Sequence, residues 1–242
     1  MATQRNSGKR ARKDETLYND MGYQVPQKVN VKFPKLVPQS YRQQDYLEAI
    51  YNKDIVFATG SAGTGKSYLG IHYAAEQLYY KKIDKIILTR PAVEACGESL
   101  GFLPGELVEG KLMPYLIPYT EVLNELLGKS FVEYCLKTGS IEPVPLAFMR
   151  GRSFKNCIIL ADEMQSASPM QLKLLLTRIG ENTKLLINGD IAQRDIADAT
   201  GLENAIGTLS YIPEVEVIQF SDDDCVRSGL CKKILRAYSG YR

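Results

Sequence analysis

The stretch "DIVFATGSAGTGKS" constrains this chain more than any other. Its first half is apolar and partly β-branched, as a buried strand requires. Its second half runs Gly60, Ser61, Ala62, Gly63, Thr64, Gly65, Lys66, Ser67, the Gly-x-x-x-x-Gly-Lys-Ser spacing of a phosphate loop. Glycines here allow positive φ and let phosphate approach bare backbone. Successive N–H groups at a helix start make an anion cradle. Lys66 is expected to reach the β- and γ-phosphates of a nucleotide, and Ser67 to offer its hydroxyl to Mg²⁺. Tyr68 follows at the edge of the same cradle. A glycine turn that binds nothing is the alternative. The strand pattern before the loop and the helix pattern after it weigh against that.

Around this loop the sequence alternates. Short apolar runs at Ile55–Thr59, Lys85–Thr89, Cys157–Ala161, Lys184–Asn188 and Val215–Phe220 read as strands buried on both faces of a parallel sheet. Helical patterns lie at Lys66–Tyr80, Pro169–Gly180, Gly201–Leu209 and Val226–Tyr238. An earlier one begins after Ser40, a helix-capping residue, with Tyr41, Tyr46, Leu47, Ile50 and Tyr51 at helical spacing. The expectation is an α/β, three-layer P-loop NTPase domain with a mostly parallel sheet. The second and third of those strands are separated by about 65 residues rich in proline, an insertion that is functional or carries its own small structure.

Charge divides the chain. Residues 1–13 hold Arg5, Lys9, Arg10, Arg12 and Lys13 and no acid, a charge of +5 against +2 for all 242 residues. We read 1–37 as a basic, flexible arm and 38–242 as the domain. The arm is either a counterion-releasing contact to nucleic acid or a solvated end. No apolar run approaches the ~18 residues of a membrane span, and "MATQRNSGKRARKD" lacks the apolar core of a secretory signal. Five cysteines without a CxxC pair, and one histidine, point to a reducing, cytoplasmic protein without a zinc cluster or Ser-His chemistry. Cys157 and His72 read as packing residues.

Two further strand ends carry chemistry. "CIILADE" puts Asp162 and Glu163 at the carboxyl end of a buried strand, where open parallel sheets bind ligands. Asp162 is expected to hold Mg²⁺, and Glu163 to act as general base on an attacking water. A helix-capping acid pair is the bland reading. "LLINGDIAQRD" ends a third strand with Asn188, Asp190 and Gln193. Gln193 has the donor and acceptor needed to orient a water or sense the γ-phosphate; Asn-Gly-Asp is also ordinary turn chemistry.

These motifs, with "LTRPAVEACGESLGFLPG", "PLAFMRGRSFKNCIILADEMQ", "LLLTRIG", "NGDIAQRD" and "DCVRSGL", resemble the PhoH proteins, P-loop ATPases related to superfamily-one RNA helicases. The likeness runs from about Pro38 onward, and the chain's length and basic arm resemble a bacteriophage version. In that case the location is the host cytoplasm. The resemblance implies a RecA-like core that binds ATP and Mg²⁺. It further implies that Gln44 reads the adenine edge, that Thr89, Arg90 and Pro91 touch a nucleic-acid backbone, and that Gln193 couples the γ-phosphate to the strand. The chain departs from the family at Asn188, where Thr is usual, near Cys96, where one residue is extra, and at Ser228, where His is usual.

One RecA-like domain does not supply its own transition-state cation, and an arginine finger is worth ~10³–10⁵ in rate. A head-to-tail ring supplies it from the next subunit. A homo-oligomer, a hexameric ring as in the resembled family, is therefore expected. Arg178 and Arg227 are the finger candidates, with Arg150 and Arg152 as a third finger or as RNA contacts. Each is also readable as a surface salt bridge. Tyr115, Tyr119 and Phe102 either stack bases or fill a core. An ATPase acting on RNA or single-stranded nucleic acid is the leading reading. A nucleotide-dependent switch or assembly module with a protein partner shares every nucleotide residue. Glu163 and Gln193 argue against a small-molecule kinase, and nothing in the residues supports a ribonuclease.

Overall fold

Strand burial sets the layers. The computed structural model describes residues 33–91, 113–193 and 201–227, and positions 229, 230, 233, 234 and 237; for 113–116 and 193 it describes the backbone alone. Six strands, β1 (Ile55–Gly60), β2 (Lys85–Thr89), β3 (Ile141–Pro143), β4 (Cys157–Ala161), β5 (Thr183–Gly189) and β6 (Val215–Phe220), form one sheet in the order β3-β2-β4-β5-β1-β6. Every pairing is parallel. Val56, Ala58, Ile86, Leu88, Ile158, Leu160 and Leu186 pack on one face, and Phe57, Ile87, Ile159, Ala161, Leu185 and Ile187 on the other. Apolar side chains on both faces explain why the strands show no alternation.

Among the described residues, helices cover the faces. α1 (Tyr41–Asn52), α2 (Lys66–Tyr79), α3 (Met113–Leu127) and α4 (Lys129–Thr138) bury Ile50, Leu69, Leu123 and Val132 on the first face. α5 (Pro169–Leu176) and α6 (Gly201–Leu209) bury Leu172, Leu175 and Leu202 on the second. The result is the expected three-layer α/β, RecA-like domain. Ser40 caps α1 by accepting from the Gln43 N–H at 3.2 Å, a bond worth about 1 kcal/mol. Ser168 and Gln171 form a reciprocal capping box at α5, with Pro169 in the first turn. His72 is buried and meets Phe33 edge-on at 5.1 Å.

The five expected strands are present, each within a residue at either end. β3 is the added one. It is three residues long, ends in Pro143 and lies at the sheet edge, where a missing N–H is tolerated. The helix expected over Pro169–Gly180 stops at Leu176. Thr177 Oγ1 bonds back to the Lys173 carbonyl at 2.9 Å, and the Arg178 carbonyl accepts from Phe154 N at 3.0 Å. The chain leaves the helix to pair beside the start of β4. Val226 and Arg227 are not helical; positions 229, 230, 233, 234 and 237 are. Residues 1–32 of the basic arm, residues 92–112 with Cys96 and Phe102, the Tyr115 side chain and Ser228 lie outside the described residues, whereas Phe33, near the end of the expected arm, is buried in the core, so the domain starts before residue 38.

The long connection joins the main core. Tyr119, Leu123, Val132, Cys135 and Ile141 belong to the same apolar cluster as α1 and α2. Tyr119 is 4% exposed, so of its two readings the core aromatic is the observed one.

Arg152 is also structural. Its guanidinium donates to Glu142 at 2.7 Å and lies 4.8 Å from the Phe154 ring centroid, while Lys85 donates to Glu142 at 3.2 Å. Burial raises the Glu142 pKa, but the bonds from Arg152 and Lys85 outweigh it and hold the carboxyl below its ordinary 4.5. A depressed folded-state pKa adds stability above the unfolded value, and that stability is lost as pH falls through the folded one. The two cations are partly exposed and screened, leaving roughly 1 kcal/mol. Glu142→Gln is expected to melt about 2–4 °C lower at neutral pH. The gap to wild type should narrow as pH drops below 4.5. Thermal melts of both proteins across pH 3–7 check this.

Candidate functional site

The phosphate loop is shaped by what surrounds it. Gly60 has φ +113°, and a Cβ there would lie 1.9 Å from the Phe220 carbonyl oxygen of β6, so only glycine closes this turn. Gly65, at φ +87°, caps α2 without a side-chain bond, which leaves the first-turn N–H groups aimed outward with the positive end of the helix dipole. Thr64 is fully buried and donates to the Ser61 carbonyl at 3.1 Å. The Ser61 hydroxyl donates to Asp222. Lys66 is buried and donates to the carbonyls of Gly60 at 2.6 Å and Ser61 at 2.7 Å, and to Thr64 Oγ1 at 3.1 Å. Burial lowers its pKa, against the opposing pull of the Asp190, Asp162 and Glu163 carboxylates.

Sheet order brings the acids to this loop. One strand, β5, separates β1 from β4. The carboxyl ends of all three open on a cleft of about 260 Å³ lined by Ala62 to Tyr68, Asp162, Glu163, Gly189, Asp190 and Arg227. Ser67 Oγ donates to Asp162 Oδ2 at 2.8 Å. Glu163 sits at φ +55°, left-handed backbone that costs a non-glycine residue about 1 kcal/mol or more. Gln165 Nε2 donates to its Oε2 at 2.6 Å.

Gln165 has a position that sequence reasoning missed. It is 5% exposed, and its Oε1 accepts from Asp190 N at 3.1 Å. One amide thus ties the acid pair after β4 to the loop after β5. Its place two residues beyond Glu163 was the available signal.

Some expected residues are placed differently. Gln44 is exposed, because it falls on the solvent side of α1. Gln43, one position earlier, is buried on the loop: it donates to the Thr64 carbonyl at 2.9 Å and accepts from Gln39 N at 2.7 Å. The glutamine of α1 that contacts the loop is therefore Gln43 rather than Gln44. Asn188 does not line the cleft; it is buried and accepts from the Tyr46 hydroxyl at 3.2 Å. Thr89 is 4% exposed and does not present its side chain to a strand, although its carbonyl accepts from Asp162 N at 3.1 Å. Arg90 is half-buried next to it. Gln193 lies in a short turn, Ile191–Gln193, and its side chain is outside the described residues.

The arginines separate into two groups. Arg227 stands over its own loop: a Cβ on Gly63 would come within 2.6 Å of its side chain, and Val226 N donates to the Gly63 carbonyl at 2.9 Å. Arg227 thus lines the cleft of its own chain. Arg178 donates to the Arg152 carbonyl at 3.2 Å beside the start of β4 and β5, the end of the sheet opposite the loop. Arg150 is exposed, and Arg152 is committed to Glu142.

Among the described residues no group of three or more His, Cys, Asp and Glu is arranged to hold a metal. One hydroxyl and one carboxylate beside a phosphate cradle suit Mg²⁺, which keeps waters and takes its remaining ligands from substrate phosphates. None of the described helices is long and apolar enough to cross a membrane.

The family model described as PhoH-like protein matches residues 35–239. The chain belongs to the PhoH-like family. Protein PhoH of Escherichia coli (strain K12) is 43% identical over 208 residues, a match that covers 84% of this chain and 58% of that protein. The PhoH-like protein of Bacillus subtilis (strain 168) is 41% identical over 232 residues, covering 95% of this chain and 72% of its own length. This PhoH-like chain therefore spans less than two thirds of the E. coli relative. Solved structures are more distant. The Pif1 helicase from Candida albicans aligns at 20% identity and a TM-score of 0.36 over 77% of this chain and 41% of its own. The large terminase of a thermophilic bacteriophage aligns at 9% and 0.44 over 83% and 50%. Family and loop together make this a nucleotide-binding domain of the P-loop ATPase type.

Proposed function

We propose that the chain binds ATP with Mg²⁺, hydrolyses it, and works as a homo-oligomeric, helicase-like motor on RNA or single-stranded nucleic acid. The observation that carries this reading is the Ser67–Asp162 bond of 2.8 Å. It joins the phosphate cradle to the acid pair across an intervening strand.

The roles follow from placement. The N–H groups from Ala62 to Ser67 and the Lys66 ammonium bind the phosphates; a polyphosphate would return to Lys66 the counter-charge that burial now withholds. Ser67 and Asp162 would hold Mg²⁺, which neutralises charge on the β- and γ-oxygens. Glu163 accepts a proton from water as its oxygen attacks the γ-phosphorus. The bond to the β-phosphate oxygen breaks, giving ADP and inorganic phosphate. Gln165 keeps Glu163 and the Asp190 loop in register. Gln193 is assigned to orient the water or report the γ-phosphate. Arg227 is assigned to the developing charge from within the chain, and Arg178, at the far end of the sheet, to the next subunit's site. Arg90 and the exposed Arg150 are the nucleic-acid candidates that remain; Thr89 and Arg152 are withdrawn from that role.

The test is ATP turnover with and without single-stranded RNA, with protein titrated through the assembly range. Turnover is expected to be stimulated by RNA and cooperative in protein concentration. ATP binding with turnover that is indifferent to RNA would replace the motor with a nucleotide-dependent switch or assembly module.

A further inference from the structure

Asp162 has a neighbour that the reading above does not use. α3 packs along α2 and carries Tyr119 inward. The ring fills the core at 4% exposure, yet the hydroxyl is buried without a hydrogen-bond partner. Its surroundings are polar. The Asp162 carboxylate lies at the margin of hydrogen-bonding range, and the charges of Arg90 and Glu163 also reach it. Strand alternation accounts for this grouping. Leu88 and Leu160 point to the α2 face, so Arg90 and Asp162, two residues further along their strands, start on the same side.

A buried hydroxyl without a partner costs about 1–3 kcal/mol, and buried polar groups are nearly always satisfied. Phenylalanine would fill the same space without that cost. A tyrosine hydroxyl is a hydrogen-bond donor at neutral pH. The acceptor it faces is the carboxylate that Ser67 already holds at 2.8 Å. Two donors from two helices would fix the plane of that carboxylate and with it the water shell of a bound metal.

We propose that Tyr119 is a positioning residue for Asp162, closing a hydrogen bond to it when Mg²⁺-nucleotide is bound, and so tying α3 to the metal site. The proposal rests on the ATP and Mg²⁺ reading.

The experiment is binding of a fluorescent ATP analogue over a Mg²⁺ series and in EDTA, for wild type, Tyr119→Phe and Tyr73→Phe. Tyr73 is another tyrosine buried in the same cluster, edge-on to Tyr51 and beside the starts of β4 and β5. Tyr119→Phe is expected to need about tenfold more Mg²⁺ for half-maximal tightening, with unchanged affinity in EDTA. Tyr73→Phe should follow wild type. A Tyr119→Phe midpoint equal to wild type overturns the proposal, even if its melting temperature shifts, because the hydroxyl is then only structural. Wild type without Mg²⁺-dependent binding would instead remove the ATP reading itself.

Discussion

Glu163→Gln is expected to bind Mg²⁺-ATP as wild type does and to lose turnover by about 10²–10⁴-fold. The substitution keeps shape and hydrogen bonding. Gln165 Nε2 donates to Glu163 Oε2 at 2.6 Å, and an amide carbonyl at the same place accepts that bond equally well. The left-handed backbone at Glu163, φ +55°, is also unchanged. What disappears is the capacity to take a proton. Steady-state phosphate release, measured beside nucleotide affinity, separates the two quantities. Weaker binding with turnover kept would make Glu163 a binding residue. Turnover within twofold of wild type at unchanged affinity would move the general base elsewhere.

Gln165→Ala, measured in the same assay, separates base from support. Its amide ties Glu163 to the Asp190 loop. Losing that tie should lower turnover less than Glu163→Gln does, by about tenfold to a hundredfold, the size of a positioning effect. Restoration by glutamate at that position is not expected, because a carboxylate cannot donate to Glu163.

The sheet was legible because its strands are short, apolar and β-branched, and because the loop string fixed what each strand end must carry. Pattern fails where tertiary contacts decide. β3 ends in proline and has strand geometry only through pairing with β2. α5 stops at Leu176 because Arg178 pairs with Phe154, not because of any residue in the helix. In the site, residue type was easier to read than position. A glutamine on α1 was expected at the loop, but "YRQQDY" offers two, and helical phase selects Gln43. Gln165 follows Glu163 by two residues, but its second partner, the Asp190 N–H, is 25 positions away, and no spacing rule points to Tyr119. Arg227 was readable as a cation for the phosphate. That it lies over its own loop depends on the turn after β6, where Val226 meets Gly63.

That placement gives the second large effect. Arg227→Ala is expected to lower turnover by about 10³-fold or more, as loss of a transition-state arginine does. Arg178→Ala is expected to fall by a similar factor for a different reason. A ring built on a heterologous interface makes each site from one subunit's loop and the next subunit's finger. Each inactive arginine variant is then mixed with Lys66→Ala, which removes the loop lysine and leaves both arginines. With Arg178→Ala, some interfaces pair an intact loop with an intact Arg178. Random mixing at equal amounts returns about a quarter of the sites. With Arg227→Ala nothing returns, because every intact Lys66 lies in a chain that lacks Arg227. Recovery in the Arg227 mixture would place that arginine across the interface, against its position over Gly63. Recovery in neither mixture would remove Arg178 as the finger and leave the exposed Arg150, two residues before the carbonyl that Arg178 holds, as the residue to test next.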